Sequence, residues 1–320
     1  MLKKQKIYAL AAFIALQVIA FAGAAGADKI KIVTSLPDLA SIAQEIGGDY
    51  VTTFSIAKGY QDPHFVDPKP SYMIRLQKAD IFIQVGLDLE IGWIPPLLEG
   101  ARNGAILPGG KGYIDASVGI PLLEVPTGEP SKLRAEGDIH IYGNPHYWLD
   151  PLRGKMIAEN IHNGLIRLQP ENEAQFRSNL DIFNQKIDAL TQNLQDKISD
   201  YAGTKVIAFH NSWPYFDERF HFDLVGFIEP KPGIPPSPKH LVSVINHMKQ
   251  NDIRIIIISP YFSKKSAQLI ASKTSAVLIE LASSVGAQAE IKSYFDLFEY
   301  NINKLIEGIK QAGIIKKNNK

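Results

Sequence analysis

Residues 70–86 read PSYMIRLQKADIFIQVG, and residues 236–259 read PSPKHLVSVINHMKQNDIRIIIIS. In both, a Pro-Ser pair opens a stretch of helical spacing, and a short run of Ile, Val or Phe then follows. Helix followed by buried strand, met twice, is the unit of an α/β fold. Outward from the first copy, 29–35 (KIKIVTS) reads as a buried strand. A helix over 37–46 is stopped by Gly47-Gly48, a strand covers 51–56, and 57–70 is irregular. Around the second copy, strands at 206–209, 224–228, 253–258 and 276–281 alternate with helices at 213–220, 239–251 and 263–273. An amphipathic helix over 293–312 ends the series. Such alternation predicts mainly parallel sheets covered by helices on both faces.

The two halves are separated by different material. Residues 103–146 are rich in Gly and Pro and read as loop with short strands. Residues 170–201 carry Leu, Ile and Phe at helical spacings with no internal Gly or Pro, which predicts one helix of about eight turns. The expected architecture is two α/β lobes joined by one long rigid helix, with a ligand site in the cleft between them. The boundaries are 28–168 for the N-terminal lobe, 169–201 for the linking helix, 202–314 for the C-terminal lobe and 315–320 for a tail.

Composition narrows the function. Lys+Arg 34 against Asp+Glu 33 gives no polycationic surface, so nucleic acid is not an expected partner. There is no cysteine, which excludes disulfides, thiolate metal sites, cysteine nucleophiles and a lipid-bearing N-terminal cysteine. Residues 1–27 have the parts of an export signal: Lys3, Lys4 and Lys6, an apolar run over 7–22 broken only by Gln17, and Ala25-Gly26-Ala27 before Asp28. The run is shorter than the roughly 20 residues of a spanning helix. The mature chain is therefore expected to be a monomer in the periplasm, free of the membrane because no cysteine can carry a lipid.

Among eight histidines, three stand where a strand or a rigid loop meets the expected cleft. His64 follows Asp62-Pro63, His146 follows Asn144-Pro145, and His210 follows the apolar strand VIAF. Proline or a buried strand fixes the backbone before each ring, and neutral imidazoles on separate rigid elements make a preorganised divalent-metal site. Their separations, 82 residues from 64 to 146 and 64 residues from 146 to 210, match no local zinc motif.

The words around these histidines carry more. DPHFVDPKPSYMIRLQKADIFIQVGLDLE (62–90), NPHYWLDP (144–151) and FHNSWPYFDERF (209–220) resemble, in order, those of the metal-binding solute-binding proteins of bacterial zinc and manganese ABC importers, the cluster A-I family. The resemblance spans roughly residues 30–312. It implies two lobes around a buried metal, with His64, His146 and His210 as ligands, and an ABC permease and its ATPase as partners. A carboxylate usually completes the family's ligand set, but Ala282 stands in its place here. Glu229, at a strand end before a proline-stiffened loop, is the better substitute. Water or Glu280 are the alternatives, and strand alternation turns Glu280 toward the surface. His140 reads as a solvated loop residue, with auxiliary metal capture as its alternative. Asp62, Asp67 and Asp150 read as turn residues that orient imidazoles.

Three imidazoles with an oxygen or water suit Zn2+ better than Mn2+, which prefers more oxygen donors. The expected function is capture of a divalent metal, zinc before manganese, and its delivery to a membrane permease; the chain is not expected to be an enzyme. The competing readings are a three-histidine zinc hydrolase or hydratase, and a metal-binding adhesin or buffer without a transporter.

Overall fold

The computed structural model describes residues 28–127, 140–231 and 233–315. The export signal, residues 128–139, Pro232 and the last five residues of the tail lie outside the described residues. The first lobe contains β1 (Ile30–Thr34), α1 (Pro37–Gly47), β2 (Val51–Ser55), α2 (Pro70–Gln77), β3 (Ile81–Gln84), α3 (Ile94–Ala101) and β4 (Tyr113–Asp115). Two helices follow, α4 (Pro151–Leu168) and α5 (Glu173–Ile198). The second lobe contains β5 (Lys205–Ala208), α6 (Pro214–Phe220), β6 (Asp223–Phe227), α7 (Pro238–Gln250), β7 (Ile255–Ile258), α8 (Lys265–Thr274), β8 (Val277–Glu280) and α9 (Tyr294–Gln311).

Each lobe has a four-stranded, all-parallel sheet, ordered β2-β1-β3-β4 in the first and β6-β5-β7-β8 in the second. The orders are the same, so the repeat seen in the sequence is a repeat of topology. In each sheet the chain leaves the first strand toward one side and returns on the other. The carboxyl ends of the central strands therefore form a crevice in which ligands bind. The central strand β7 is four isoleucines buried on both faces, as a covered parallel strand requires.

The linking helix α5 runs for 26 residues and is bounded by 3-10 turns at Pro170–Asn172 and Ser199–Tyr201. Phe176, Leu180, Phe183, Ile187, Leu194 and Ile198, with Thr191 in the step between Ile187 and Leu194, recur every three or four residues and are all buried. Each contributes about 1.5–3 kcal/mol by leaving water. Helix α5 packs along α1, α4 and α9, and a continuous core runs from the first sheet through these helices to the second. Helix α4 is an addition to the sequence reading; its buried face (Ile157, Ala158, Ile161, Leu165) lies against α1 and α5.

Beside the cleft the lobes are pinned directly. Asp38 at the start of α1 accepts hydrogen bonds from the Val285 N–H at 3.0 Å and from the Ser284 hydroxyl. The Trp148 indole donates to the Ser283 carbonyl at 2.9 Å. Gly59 lies so close to the 285–287 backbone that a Cβ there would sit 2.1 Å from the Val285 oxygen.

Candidate metal centre

The same three-residue device positions two of the histidines. In Asp62-Pro63-His64, Asp62 Oδ1 accepts from the His64 backbone N–H at 3.0 Å and from its ring Nδ1 at 2.7 Å. In Asn144-Pro145-His146, Asn144 Oδ1 accepts from the His146 N–H at 3.0 Å and from its ring Nδ1 at 2.9 Å. The proline between has a fixed φ and no N–H of its own, so the short side chain folds over it onto the next donor. Trp93 Nε1 donates to the Pro63 carbonyl at 2.9 Å and holds the first of these turns down.

His210 is placed by the sheet. β5 and β6 are adjacent parallel strands with Ala208 opposite Phe227, so residues 210 and 229 each lie two positions past a matched pair. Glu229 Oε2 accepts from His210 Nδ1 at 2.5 Å, and Glu229 Oε1 accepts from the Gly233 N–H at 3.0 Å.

All three rings therefore have Nδ1 against an oxygen acceptor, which places the ring proton there and leaves Nε2 as the lone-pair atom. Asn144 has its orientation settled by its other end, since Nδ2 donates to Glu124 Oε2 and to the Asn211 carbonyl, both at 2.9 Å. The rings form a near-equilateral triangle, with centroids 5.2 Å apart for 64–146 and 64–210 and 5.5 Å for 146–210. One nitrogen from each lies within 4.8 Å of the others. His146 Nε2 is fully buried and has no hydrogen-bond partner, an arrangement that costs free energy unless something accepts its lone pair.

A fourth imidazole joins them. His140 Nε2 is 3.2 Å from His64 Nε2, and its ring lies 5.2 Å from that of His64. This half-buried histidine stands at the cluster and not in open solvent as the sequence suggested. The Leu87 carbonyl accepts from its ring, and Leu87 and Asp88 both have left-handed backbones, φ +54° and +65°.

Electrostatics favour the neutral form at His146 and His140. Burial first, and then the neighbouring His64, His210 and His140, push His146 well below its ordinary value. Burial, followed by His64 and His210, pushes His140 down to about 3. Burial raises the Asp62 carboxyl, but its hydrogen bond and charge interaction with His64 outweigh this and leave it below its ordinary value. Trp148 packs on His146 with ring centroids 5.2 Å apart, and Phe262 on His210 at 5.6 Å, so apolar rings exclude water from two sides. A pocket of about 380 Å³, lined by Glu124, Pro126, His140, Asn144, His146, His210 and Asn211, leads in from the surface.

Other expectations fare differently. Glu229 stands behind His210, with one oxygen on its ring Nδ1 and the other on the Gly233 N–H. Glu280 pairs with Lys264 at 2.5 Å and accepts from Gln288 at 3.1 Å, as a strand-end surface residue does. Asp62 orients an imidazole as expected, whereas Asp67 is simply exposed. Asp150 caps α4 and is bound by Arg153 and Arg219. Asn144 escaped the sequence reading although NPH repeats the pattern of DPH.

The family model described as zinc-uptake complex component A, periplasmic (ZnuA) matches residues 32–308. The chain belongs to this family. It is a substrate-binding protein of a metal ABC transporter. It is 24% identical over 294 residues to the manganese ABC transporter substrate-binding lipoprotein PsaA of Streptococcus mitis, covering 89% of this chain and 91% of that one. A crystal structure of a ZnuA deletion mutant with zinc bound matches with a TM-score of 0.73 at 26% identity, over 88% of this chain and 98% of the other. The substrate-binding protein FpvC of Pseudomonas aeruginosa, in complex with Mn2+, shares the fold with a TM-score of 0.74 at 20% identity, over 89% of this chain and all of its own. Among the described residues no helix is long and apolar enough to cross a membrane.

Proposed function

We propose that this protein is the zinc carrier of its importer, binding Zn2+ through Nε2 of His64, His146 and His210. The observation that supports this most directly is the buried, partnerless His146 Nε2 facing two rings whose Nδ1 atoms are likewise tied to oxygen. Three neutral nitrogen donors favour zinc, whereas manganese prefers sites richer in oxygen. His140 supplies the fourth donor, and water is its alternative. Glu229, Asp62 and Asn144 act through the rings they hold, raising ligand basicity and fixing ring orientation. The chain is exported to the periplasm after loss of residues 1–27, works as a monomer and hands its metal to a permease driven by an ATPase.

The manganese named for PsaA and present with FpvC is the competing cargo. Competition titration of the metal-stripped chain from Asp28 with zinc and manganese, read by calorimetry, decides between them. The expected result is one zinc per chain, strongly preferred over manganese and lost in His146→Ala. Manganese preference would overturn the nitrogen-donor argument, and binding of neither metal would overturn the site.

A further inference from the structure

Glu124 lies outside the ring of imidazoles, yet both ligand-bearing segments meet on it. Its backbone is left-handed, with φ +54°, a conformation non-glycine residues seldom adopt. Oε2 accepts from Asn144 Nδ2 at 2.9 Å and from Asn211 Nδ2 at 2.7 Å. Asn144 is the residue that holds His146 Nδ1, and Asn211 directly follows His210. The same strip is tied again from behind. The Asn144 N–H donates to the Leu123 carbonyl at 3.0 Å, and the Tyr215 hydroxyl accepts from the Leu123 N–H at 3.0 Å while donating to the Asn144 carbonyl at 2.7 Å. Thus a carboxylate at the pocket wall joins the first lobe's His146 turn to the second lobe's His210 turn.

We propose that Glu124 is a positioning residue that sets His146 against His210 across the cleft. The carboxylate fixes both hydrogens of the Asn144 amide, one on itself and one on the Asn211 carbonyl. That keeps Oδ1 on His146 Nδ1 and Nε2 free for the metal. Its charge polarises the amide, so the His146-Asn144-Glu124 series acts as a carboxylate held one residue further from the ring. Through Asn211 Nδ2 it also adds a second tie between the two ligand-bearing turns, beside the one Asn144 makes to the Asn211 carbonyl.

The role rests on zinc binding by the three histidines, and the test separates the two ideas. A cycle of Glu124→Ala, Asn144→Ala and the double variant is titrated with zinc against a competing chelator. Glu124→Ala is expected to weaken binding about tenfold and the double variant no more than Asn144→Ala alone, because one residue acts through the other. Glu124→Gln, which keeps an acceptor oxygen, is expected to stay within about threefold of the parent. Losses that add, or a Glu124→Ala affinity within twofold of the parent, overturn the role. The metal-free chain gives a readout independent of zinc, the ring-nitrogen NMR shifts of His146. Glu124→Ala should shift His146 from a pure Nδ1–H tautomer to a mixture while His64, held by Asp62, does not change. An unchanged His146 overturns the proposal even where the parent binds no zinc, an outcome that would sink the site reading separately. Should Glu124→Ala fail to fold, Glu124→Asp, whose shorter side chain draws the carboxylate away from Asn144 Nδ2, tests the same contact, with the same tautomer shift expected and its absence overturning.

Discussion

Replacing Glu229 by Gln tests whether the carboxylate acts behind the imidazole or on the metal. In the parent, Oε2 takes the His210 Nδ1 proton at 2.5 Å and Oε1 takes the Gly233 N–H at 3.0 Å. Glutamine has one acceptor, so its amino group must face one of these two donors. If the carbonyl stays on Gly233, His210 loses a charge-assisted bond, of the kind that contributes about 1.5–3 kcal/mol. At about 1.4 kcal/mol per tenfold, the corresponding loss of zinc affinity is about 10- to 100-fold, the range found for other outer-shell partners of metal-bound histidine. The assay is chelator competition at constant pH, with X-ray absorption on the zinc-loaded variant to count donors. Weaker binding with an unchanged donor set is expected. A loss under threefold would falsify the orientation argument, and a missing oxygen donor would return Glu229 to the coordination shell.

Three further outcomes are expected. His140→Ala should weaken zinc binding about tenfold and exchange one nitrogen donor for oxygen in the absorption spectrum; an unaltered spectrum would give the fourth position to water. Glu90 is buried, accepts from the Val85 and Gly86 N–H groups at 2.7 and 3.0 Å, and is raised by burial to about 7 from 4.5. The folded state thus holds a proton that the unfolded chain has released, so this contribution is full below about 4.5 and lost as pH rises through 7. Urea unfolding of the metal-free protein should show stability falling from pH 5 to pH 7 by up to about 1.4 kcal/mol per unit from this group and levelling off above pH 7; an equal slope in Glu90→Gln would refute the assignment. Arg219→Ala removes two of the hydrogen bonds on the fully buried Asp150, at 2.7 and 3.0 Å, and leaves Arg153 as its partner. The expected loss is about 2–3 kcal/mol in urea unfolding, and a loss below about 0.5 kcal/mol would show that the pair is dispensable.

The fold was written in local patterns. The two Pro-Ser helices with their following strands, the all-isoleucine β7 and the uninterrupted stripe of α5 each show their period within a few residues, and period is what decides helix or strand. Helix α4 was harder to see, because Gly154, Asn160 and Gly164 dilute its stripe. Two of those are close contacts: a Cβ on Gly154 would lie 2.5 Å from the Tyr294 ring, and one on Gly164 2.1 Å from Ile114. Such glycines look like helix breakers until their neighbours from distant sequence are known.

At the site the division is sharper. The words DPH, NPH and FHNS pointed to His64, His146 and His210; the first two rings are fixed by their own immediate neighbours, whereas the ring of His210 is held by Glu229 across the strand pair. Local sequence also held Asp62 and Asn144 on their rings, through an Asx side chain folding over a proline. What it could not give was anything set between elements. Glu229 and His210 meet because β5 and β6 pair in one register, His140 reaches His64 from 76 residues away, and Glu124 touches Asn211 from the other lobe. The sequence by itself determined the lobes, the linking helix and the three ring-bearing turns, since those depend on period and on neighbours one to three residues apart. Only the tertiary structure decided which oxygen faces which nitrogen across strands and lobes, because hydrogen-bond geometry at 2.5–3.0 Å depends on packing that no local pattern encodes.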